Sequence, residues 1–360
     1  MTESRIDASV RVVGAGLLGA SIGHGLTARG VDVILHDASR ASLGLAIDYG
    51  AGRAAAEGDD PALVVVAVPP DAAAEVIAAE LAAWPNATVT DVASVKSGIL
   101  AELEAADADV ARYIGGHPLA GRERGGAISA RADLFLGRPW VITGGAGSRR
   151  RAVEDLVLEL GGIPVSMSAE EHDASVALVS HAPQVVASLL AARLTDASDA
   201  AVGLAGQGLR DTTRIAASDP ELWVQILGAN AAPVAGILTA LRADLDAVLA
   251  ALDHPEAAGA RRAIAQTLAA GNTGVARIPG KHGQAKHFSR LVILVDDRPG
   301  ELARLLTEIG ELGVNMEDLR LEHSPGAQVG LAEIAVLPEV EQRLEAELTA
   351  RGWKIAEAYA

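Results

Sequence analysis

The most constraining feature of this sequence is a glycine pattern near its amino terminus. The β-branched run Val10–Val13 leads into a Gly-x-Gly-x-x-Gly turn, Gly14–Gly19, and a helical stretch follows. In this pattern the first glycine permits a tight turn, the second lets backbone amides approach a pyrophosphate, and the third lets the helix pack closely on its strand. The turn therefore predicts a dinucleotide site. The residues expected to contact the cofactor here are Gly14, Gly16, Leu17, Leu18 and Gly19.

The acid that follows the next apolar run bears on which dinucleotide is bound. Val31–Leu35 ends just before Asp37, at a distance from the glycine turn close to the roughly 20 residues expected for an acid that binds a ribose. A carboxylate there accepts hydrogen bonds from the ribose hydroxyls and repels a 2′-phosphate. We therefore expect NAD rather than NADP, with the nearby Arg40 as the residue that would favour NADP.

The strand pattern continues beyond the glycine turn. Further candidates are Leu63–Val68, Thr88–Val92, Arg112–Gly115 and Pro139–Thr143. Alanine-rich helical stretches separate most of them, which is typical of a parallel sheet covered by helices on both faces. Residues 1–165 are therefore expected to form an α/β, doubly wound domain of the Rossmann type.

The pattern changes twice after this domain. In residues 166–272 the strand signals stop, and long alanine- and leucine-rich segments with caps and breaks predict an all-α helical domain. Residues 273–287 are rich in glycine and cations and are interpreted as a linker. Residues 288–360 follow a βαββαβ order, which predicts a small ferredoxin-like module.

Composition limits the classes of partner. The chain has 360 residues, of which 50% are hydrophobic, and its net charge of -17 opposes binding to nucleic acids and anionic membranes. The absence of cysteine excludes disulfides, thiolate zinc sites and a cysteine nucleophile. The amino terminus lacks a signal-peptide pattern, and the apolar runs are shorter than the roughly 18 residues that span a bilayer. We therefore expect a soluble, cytoplasmic protein.

Candidate site residues lie at the ends of three of the predicted strands, at the sheet edge where such domains bind ligands. Val68 and Pro69 would lie beside the cofactor, although the same residues can simply end a strand. Ser94 and Lys96 could orient a hydroxylated anionic substrate, or Ser94 could cap a helix. His117 comes directly after a strand, in a glycine-rich turn, and this position favours a functional histidine over a structural one.

The helical segment carries further candidates. His172 and His181 are nine residues apart, which places them on opposite sides of a straight α-helix. We therefore expect that they do not face one site, and a metal pair is not expected. Arg210 and Arg214 are four residues apart and form either an ordinary surface pair or a guanidinium site for a carboxylate ligand.

Together these segments resemble the prephenate dehydrogenase family, and the resemblance covers nearly the whole chain. The matching segments occur in family order. They are Gly14–Gly19, Ser94-Val95-Lys96, His117–Gly121, Glu171-His172-Asp173, Ser180-His181, and Asp211–Ala216 followed by Ser218-Asp219-Pro220 and Trp223. Each segment alone is weak, but the ordered set is specific. The resemblance implies NAD-dependent oxidative decarboxylation of prephenate to 4-hydroxyphenylpyruvate, a step of tyrosine biosynthesis.

The resemblance also implies roles for individual residues. His117 would accept the hydrogen bond and the proton of the substrate's 4-hydroxyl, Ser94 would orient that hydroxyl, and Arg214 would hold a carboxylate. Gln184 stands where many members of the family have a second histidine, which leaves the choice between prephenate and arogenate open. No metal is implied. The residues expected to bind the substrate are Arg214, His172, Ser180, His181, Gln184 and Lys96.

The carboxyl-terminal module resembles an ACT regulatory domain. Asp297, Pro299 and Gly300 lie where a strand gives way to a helix, and the glycine would leave the helix amides open to an amino-acid carboxylate. The resemblance implies an aromatic effector, for which tyrosine is the expectation. Because the helical domain offers more apolar surface than a short bundle can bury, a homodimer built on that domain is also expected.

Three alternatives to the prephenate enzyme remain open from the sequence. An arogenate dehydrogenase would share the same plan. A more distant hydroxy-acid dehydrogenase would need a catalytic lysine in the helical domain, and the sequence has no lysine between Lys96 and Lys281. A regulator that binds NAD and an amino acid without catalysis would need only the first and last domains, although His117, Ser94 and Arg214 then have no purpose.

Overall fold

The computed structural model describes residues 4–120, 126–278, 288–322 and 329–356. Residues 279–287 of the expected linker, and Gly121 at the end of the His117 motif, lie outside the described residues. The contacts between residues divide the chain into two compact units. The first unit holds Met1–Ala197 and Thr212–Leu241, and the second holds Ser198–Asp211 and Arg242–Ala360. The helical segment 166–272 is thus shared between the units, and the domain boundaries given above stay predictions.

Within the described residues, the first unit contains an eight-stranded sheet in the order β3-β2-β1-β4-β5-β6-β7-β8. Its strands are β1 (Val10–Val13), β2 (Val33–His36), β3 (Arg53–Ala54), β4 (Leu63–Val66), β5 (Thr88–Asp91), β6 (Tyr113–Pro118), β7 (Pro139–Thr143) and β8 (Ile163–Ser166). The helices between them are α1 (Leu17–Thr27), α2 (Arg40–Asp48), α3 (Pro70–Ala83), α4 (Ser97–Ala105) and α5 (Gly147–Glu159). The parallel part, β3-β2-β1-β4-β5-β6, is the strand order of dinucleotide-binding domains and confirms the predicted Rossmann-type fold.

One part of the sheet prediction is wrong. A wholly parallel sheet was expected, but β7 pairs antiparallel with β6, and β8 then runs parallel to β7. A parallel connection needs a crossover, usually a helix. The described part of the chain from β6 to β7 has only the 3-10 turn Ala127–Ser129 as regular structure, so β7 returns beside β6 in the opposite direction.

The helical segment, all of whose residues the structure describes, contains seven α-helices and two turns that are not α-helical. Its α-helices are α6 (Ala169–Val176), α7 (Ala182–Ala192), α8 (Asp199–Val202), α9 (Gln207–Thr213), α10 (Pro220–Ala229), α11 (Ala231–Asp253) and α12 (Ala260–Val275). Helix α6 begins with a capping box in which Ser168 and Glu171 bond each other's backbone amides. Between α6 and α7 the residues Ala177–His181 form a π-helical turn, and Arg214–Ala216 form a 3-10 turn after α9.

The helical run Ala169–Ala192 is long and apolar enough to meet a composition test for a membrane span. It nevertheless contains four buried polar side chains that cluster on its inward side. These are His172, Asp173, His181 and Gln184. A lipid-facing helix does not carry such groups, whereas an internal helix that supplies a polar site does. We interpret this run as a helical segment of the first unit that supplies polar groups on one side, with 33% of its apolar stretch buried.

The carboxyl-terminal module lies in the second unit. Its elements are β9 (Ser289–Asp296), α13 (Glu301–Glu311), β10 (Asp318–Glu322), β11 (Val329–Val336), α14 (Pro338–Ala350) and β12 (Lys354–Ala356). The strands form an antiparallel sheet in the order β10-β11-β9-β12. On β9 the residues Leu291, Ile293 and Val295 are buried in alternation, and they pack with Leu305 and Ile309 of α13. The predicted βαββαβ order is therefore present.

Candidate active site

The glycine turn has the geometry that its sequence predicts. Gly14 has φ +100°, and a side chain there would overlap the carbonyl oxygen of Ala67. A side chain at Gly19 would overlap the carbonyl of Gly14, so this glycine allows α1 to pack on β1. A β-carbon at Gly16, in contrast, would meet no atom of the protein within 4 Å. The fold thus requires the first and third glycines, while the second faces open space.

The start of α1 is open to a ligand. The helix begins at Leu17, which Leu18 follows, and Gly16 is its N-cap. No side chain caps this end, and the first turn contains no acidic residue. Free amides and the positive end of the helix dipole favour an anion at this place. Together with the open space at Gly16, this geometry fits the pyrophosphate of a dinucleotide.

Asp37 is tied directly to the glycine turn. It follows β2, and its carboxylate accepts hydrogen bonds from the backbone amides of Ala15 (2.7 Å) and Ser39 (2.7 Å). These contacts hold the carboxylate beside the turn, where a ribose would extend from the pyrophosphate. Val68 and Pro69 follow β4 at the same edge, and Pro69 is the N-cap of α3. Val68 and Pro69 therefore mark the end of the strand and also lie at the sheet edge where a cofactor is expected.

His117 lies at the carboxyl end of β6, within the strand rather than in a turn after it, where its backbone is paired with Val141. The strand extends further than predicted because β7 pairs with it. The Nδ1 atom of His117 lies 2.8 Å from Nε2 of His172, and the two rings meet edge to face. His172 is completely buried on α6, and its own Nδ1 lies 2.8 Å from Oδ1 of Asp173.

Asp173 joins α6 to the start of α4. Its two carboxylate oxygens accept hydrogen bonds from the backbone amides of Lys96 (2.9 Å) and Ser97 (2.8 Å). Burial alone would raise the pKa of this carboxyl, but hydrogen bonds from His172, Ser97 and Lys96 outweigh it and hold the pKa below its usual value. Asp173 is therefore an ionised carboxylate at the end of a chain of contacts that runs from His117 through His172.

The place of Lys96 corrects one expectation. Its side chain is buried, and its ammonium bonds the carboxylate of Asp91 inside the fold rather than reaching the open edge. Asp91 also accepts hydrogen bonds from the hydroxyl of Tyr113 (2.9 Å) and the amide of Gly116 (3.0 Å). Because Asp91 and the surrounding protein enclose the ammonium, direct binding of a substrate by Lys96 is not supported. The ion pair with Asp91 gives Lys96 a structural role at the end of β5.

Ser94 lies in the loop between β5 and α4 and is partly exposed. It is not the cap of that helix, because the N-cap is Lys96. Within the part of the chain that the structure describes, no protein group forms a hydrogen bond with the Ser94 hydroxyl. The hydroxyl is therefore available to a ligand at the same sheet edge as His117.

Both histidines of the helical run lie close enough to His117 to affect its charge, although nine residues on a straight α-helix would place them on opposite sides. The π-helical turn Ala177–His181 contains more residues per turn, which changes the direction of His181 relative to His172. Nδ1 of His181 lies 3.0 Å from Nδ2 of Asn230, which also donates to the backbone carbonyl of Asp173 (2.8 Å). The expectation that the two histidines point to opposite sides assumed a straight helix, and that assumption is wrong.

The remaining substrate candidates differ in their surroundings. Gln184 is buried on α7, with Nε2 3.5 Å from the Ser188 hydroxyl, whereas Ser180 is exposed on the π-helical turn and is not part of the histidine network. Arg214 is exposed in the 3-10 turn that packs against α7, and it has no ion-pair partner among the described residues. Arg210 belongs to the second unit, so only Arg214 shares a unit with His117.

The surroundings of His117 keep its ring neutral. Burial is the largest influence, and the neighbouring His172, Lys96 and His181 oppose a further positive charge, so the pKa of His117 lies well below the usual 6.5. Asp173 acts in the opposite direction but is outweighed. At neutral pH the histidine can therefore accept a proton.

The turn predicted to bind an effector lies between β9 and α13. Asp297 and Pro299 precede Gly300, which has φ +94° and is the N-cap of α13 without a side-chain cap. This agrees with the local structure that the sequence indicates. Whether the turn binds an amino acid stays a prediction.

Comparison with known proteins identifies consistent relatives. Residues 22–163 match the family model "Prephenate dehydrogenase, nucleotide-binding domain", and residues 168–266 match "Prephenate dehydrogenase, dimerization domain". The chain is 36% identical over 353 residues to NovF of Streptomyces niveus, named "Probable prephenate dehydrogenase", covering 95% of this chain and 98% of that protein.

Two solved structures are similar over most of the chain. Prephenate dehydrogenase from A. aeolicus, in complex with hydroxyphenyl propionate and NAD+, has a TM-score of 0.65 at 25% identity and covers 76% of this chain and 99% of its own. Synechocystis arogenate dehydrogenase has a TM-score of 0.61 at 26% identity and covers 74% and 99%.

Proposed function

Because the chain belongs to the prephenate dehydrogenase family, we propose that it converts prephenate to 4-hydroxyphenylpyruvate by NAD-dependent oxidative decarboxylation. The observation that carries this proposal is the neutral His117 at the carboxyl edge of a sheet whose glycine turn and Asp37 suit NAD. When bound, NAD supplies a nicotinamide that takes up the hydride from the ring carbon bearing the 4-hydroxyl. The enzyme is proposed to work in the cytoplasm, in tyrosine biosynthesis.

The roles of the protein side chains follow from their positions. His117 accepts the hydroxyl proton as the hydride leaves, and the proton returns to the phenolic oxygen once carbon dioxide is lost and the ring is aromatic. The free hydroxyl of Ser94 is proposed to orient the substrate hydroxyl toward His117. Arg214, exposed and without an ion-pair partner among the described residues, is proposed to bind a substrate carboxylate.

The remaining polar side chains shape the substrate pocket. Buried Gln184 is proposed to contact the pyruvyl side chain of the substrate, and His181, held by Asn230, to line the same pocket. Ser180 is proposed to contribute only at the rim of the site, because it is exposed. An amide at Gln184 cannot carry a charge, so it adds no charge-based preference between an α-keto and an α-amino acid side chain.

The substrate can be tested directly. Specificity constants measured with NAD should be higher for prephenate than for arogenate. A higher specificity constant for arogenate would identify the enzyme as an arogenate dehydrogenase. Activity with neither substrate would contradict both functions. A hydroxy-acid dehydrogenase with a catalytic lysine in the helical domain is disfavoured because the helical segment 166–272 contains no lysine.

The cofactor preference depends on Asp37. Since its carboxylate lies beside the glycine turn, it would meet the 2′-phosphate of NADP, and kcat/KM should be at least about tenfold higher with NAD than with NADP. Asp37→Ser should reduce the ratio of kcat/KM with NAD to that with NADP. Asp48→Ser, at the end of α2, is the control and should leave this ratio unchanged. Equal use of both cofactors by the unmodified enzyme would show that Arg40 or another group dominates.

We also propose a homodimer built on the helical segment. Large apolar side chains are exposed along one face of α11 in a single copy of the chain. They are Leu241, Leu245, Leu249 and Leu252. Exposed patches of this kind are typical of protein interfaces. Light scattering at micromolar concentration should give twice the chain mass of 36.7 kDa, and a monomeric mass would contradict the proposal.

The carboxyl-terminal module is proposed to be an ACT domain that binds tyrosine and inhibits the enzyme. The start of α13 after Gly300 has no side-chain cap, and Arg304 pairs with the acid of its first turn, Glu301 (2.8 Å), so the helix amides are proposed to take an amino-acid carboxylate. Tyrosine should inhibit the full chain, and Gly300→Val should weaken that inhibition by at least about tenfold while kcat is retained. Gly313→Val is the matched control, because this glycine also has a positive φ within the module. Equal inhibition of both variants would place tyrosine in the active site as a product analogue.

A further inference from the structure

We propose that Asp173 and His172 are positioning residues that fix the tautomer of His117, keeping a proton on its Nδ1 and leaving its Nε2 free to accept the proton of the substrate. The use of that acceptor rests on the proposed function. The tautomer itself does not, because it is a property of the protein without substrate.

The direction of the chain of hydrogen bonds is set at Asp173. Backbone amides of Lys96 and Ser97 donate to its two oxygens, and an ionised carboxylate only accepts. Nδ1 of His172, 2.8 Å from Oδ1, must therefore carry the proton of that contact. When the His172 ring carries this one proton, its other nitrogen is an acceptor, and Nε2 then presents a lone pair.

The same logic fixes His117. Its Nδ1 lies 2.8 Å from the Nε2 lone pair of His172, so Nδ1 of His117 is the donor. The ring then has its lone pair on Nε2, the nitrogen that is not used in the contact with His172. With the opposite tautomer an N–H group would face the substrate hydroxyl, and the ring could not take its proton.

The neighbouring groups do not compete for this role. Nδ2 of Asn230 donates to a backbone carbonyl of Asp173, which identifies it as a donor, and it lies 3.0 Å from Nδ1 of His181. His181 is thus held by Asn230 and not by the contacts that join His117 to His172. The ammonium of Lys96 is bound to Asp91, so it does not bond either imidazole. Among the described residues, the charged and titratable groups that affect His117 are His172, His181, Lys96 and Asp173, and of these only His172 contacts its ring nitrogen.

The tautomer can be measured without substrate. In protein labelled with ¹⁵N-histidine, two-bond nitrogen–proton correlations at about pH 8, above the usual imidazole pKa of about 6.5, distinguish the two neutral forms, and loss of a signal in His117→Asn assigns the residue. The proposal expects the proton of His117 on Nδ1. A proton on Nε2 of His117 in the unmodified protein would overturn it.

Asp173→Asn tests the source of the constraint. An amide has one oxygen, so at least one of its contacts with His172, Lys96 and Ser97 must meet an N–H instead of an acceptor. By analogy with the loss of tautomer control in other histidine relays, kcat should fall by about 10²- to 10⁴-fold. The KM for NAD should change by less than about threefold. Asp59→Asn is the matched control, because Asp59 also accepts a backbone amide and bonds an arginine, in a loop before β4.

A second pair of variants covers the case in which Asp173→Asn does not fold. His172→Gln retains an oxygen that can accept from His117, whereas His172→Leu does not. The proposal expects kcat of the Gln variant to exceed that of the Leu variant by at least about tenfold at equal thermal stability. Equal losses would mean that His172 only fills space, and would overturn the proposal. If the unmodified protein turns over no prephenate, the proposed function fails while the tautomer measurement still decides this inference.

Discussion

Replacing His117 with asparagine is expected to lower kcat by about two orders of magnitude or more, while the Kd of NAD changes by less than about threefold. Asparagine keeps hydrogen-bonding capacity but cannot accept a proton in this pH range. His117 is proposed to act on the proton that leaves in the transition state, so its loss affects the chemical step rather than binding. Steady-state kinetics and NAD titration of the purified variant provide the measurement.

A matched control and the pH profile separate this role from a structural one. His254 is exposed after α11, and His254→Asn should leave kcat unchanged. Because burial and the neighbouring His172, Lys96 and His181 lower the pKa of His117, kcat/KM of the unmodified enzyme should fall only below pH 6.5, as the ring becomes protonated and can no longer accept a proton. Turnover of His117→Asn near the unmodified level would remove His117 from the mechanism.

Arg214→Ala is expected to raise the KM for prephenate by about 10- to 100-fold, with a smaller change in kcat. The magnitude corresponds to the roughly 1.5–3 kcal/mol of a charged hydrogen bond between guanidinium and carboxylate. Arg214 is exposed in the first unit and has no ion-pair partner among the described residues, so its charge is free for a ligand.

Two comparisons make the Arg214 result specific. Arg214→Lys should recover part of the loss, because an ammonium keeps the charge but not the planar pair of donors. Arg210→Ala, four residues earlier and in the second unit, should leave KM unchanged. An unchanged KM in Arg214→Ala would show that another cation holds the substrate.

The fold could be predicted where local pattern determines structure. The bounds of β1 and β7 agree with those expected from their β-branched runs, and the glycine turn has the backbone geometry that its sequence demands. The direction of β7 could not be predicted, because it depends on the missing crossover helix rather than on the strand itself. Strand β8, Ile163–Ser166, was missed because its residues are mostly exposed and give no buried pattern.

The site was predicted less completely than the fold. His117, Ser94 and the cofactor turn could be found because they follow strands at one sheet edge. The roles of Asp91 and Asp173 could not, because they depend on contacts with residues distant in the sequence. The π-helical turn before α7 could not be predicted from the helical pattern, and a straight helix places His172 and His181 on opposite sides.

The most direct test of the proposed function is a product analysis with the purified protein, prephenate and NAD. We expect NADH, carbon dioxide and 4-hydroxyphenylpyruvate in equal amounts, with no product formed when NAD is omitted, because the hydroxyl proton passes to His117 only as the hydride leaves for NAD. Formation of phenylpyruvate, or loss of carbon dioxide without NADH, would contradict an oxidative decarboxylation at this site.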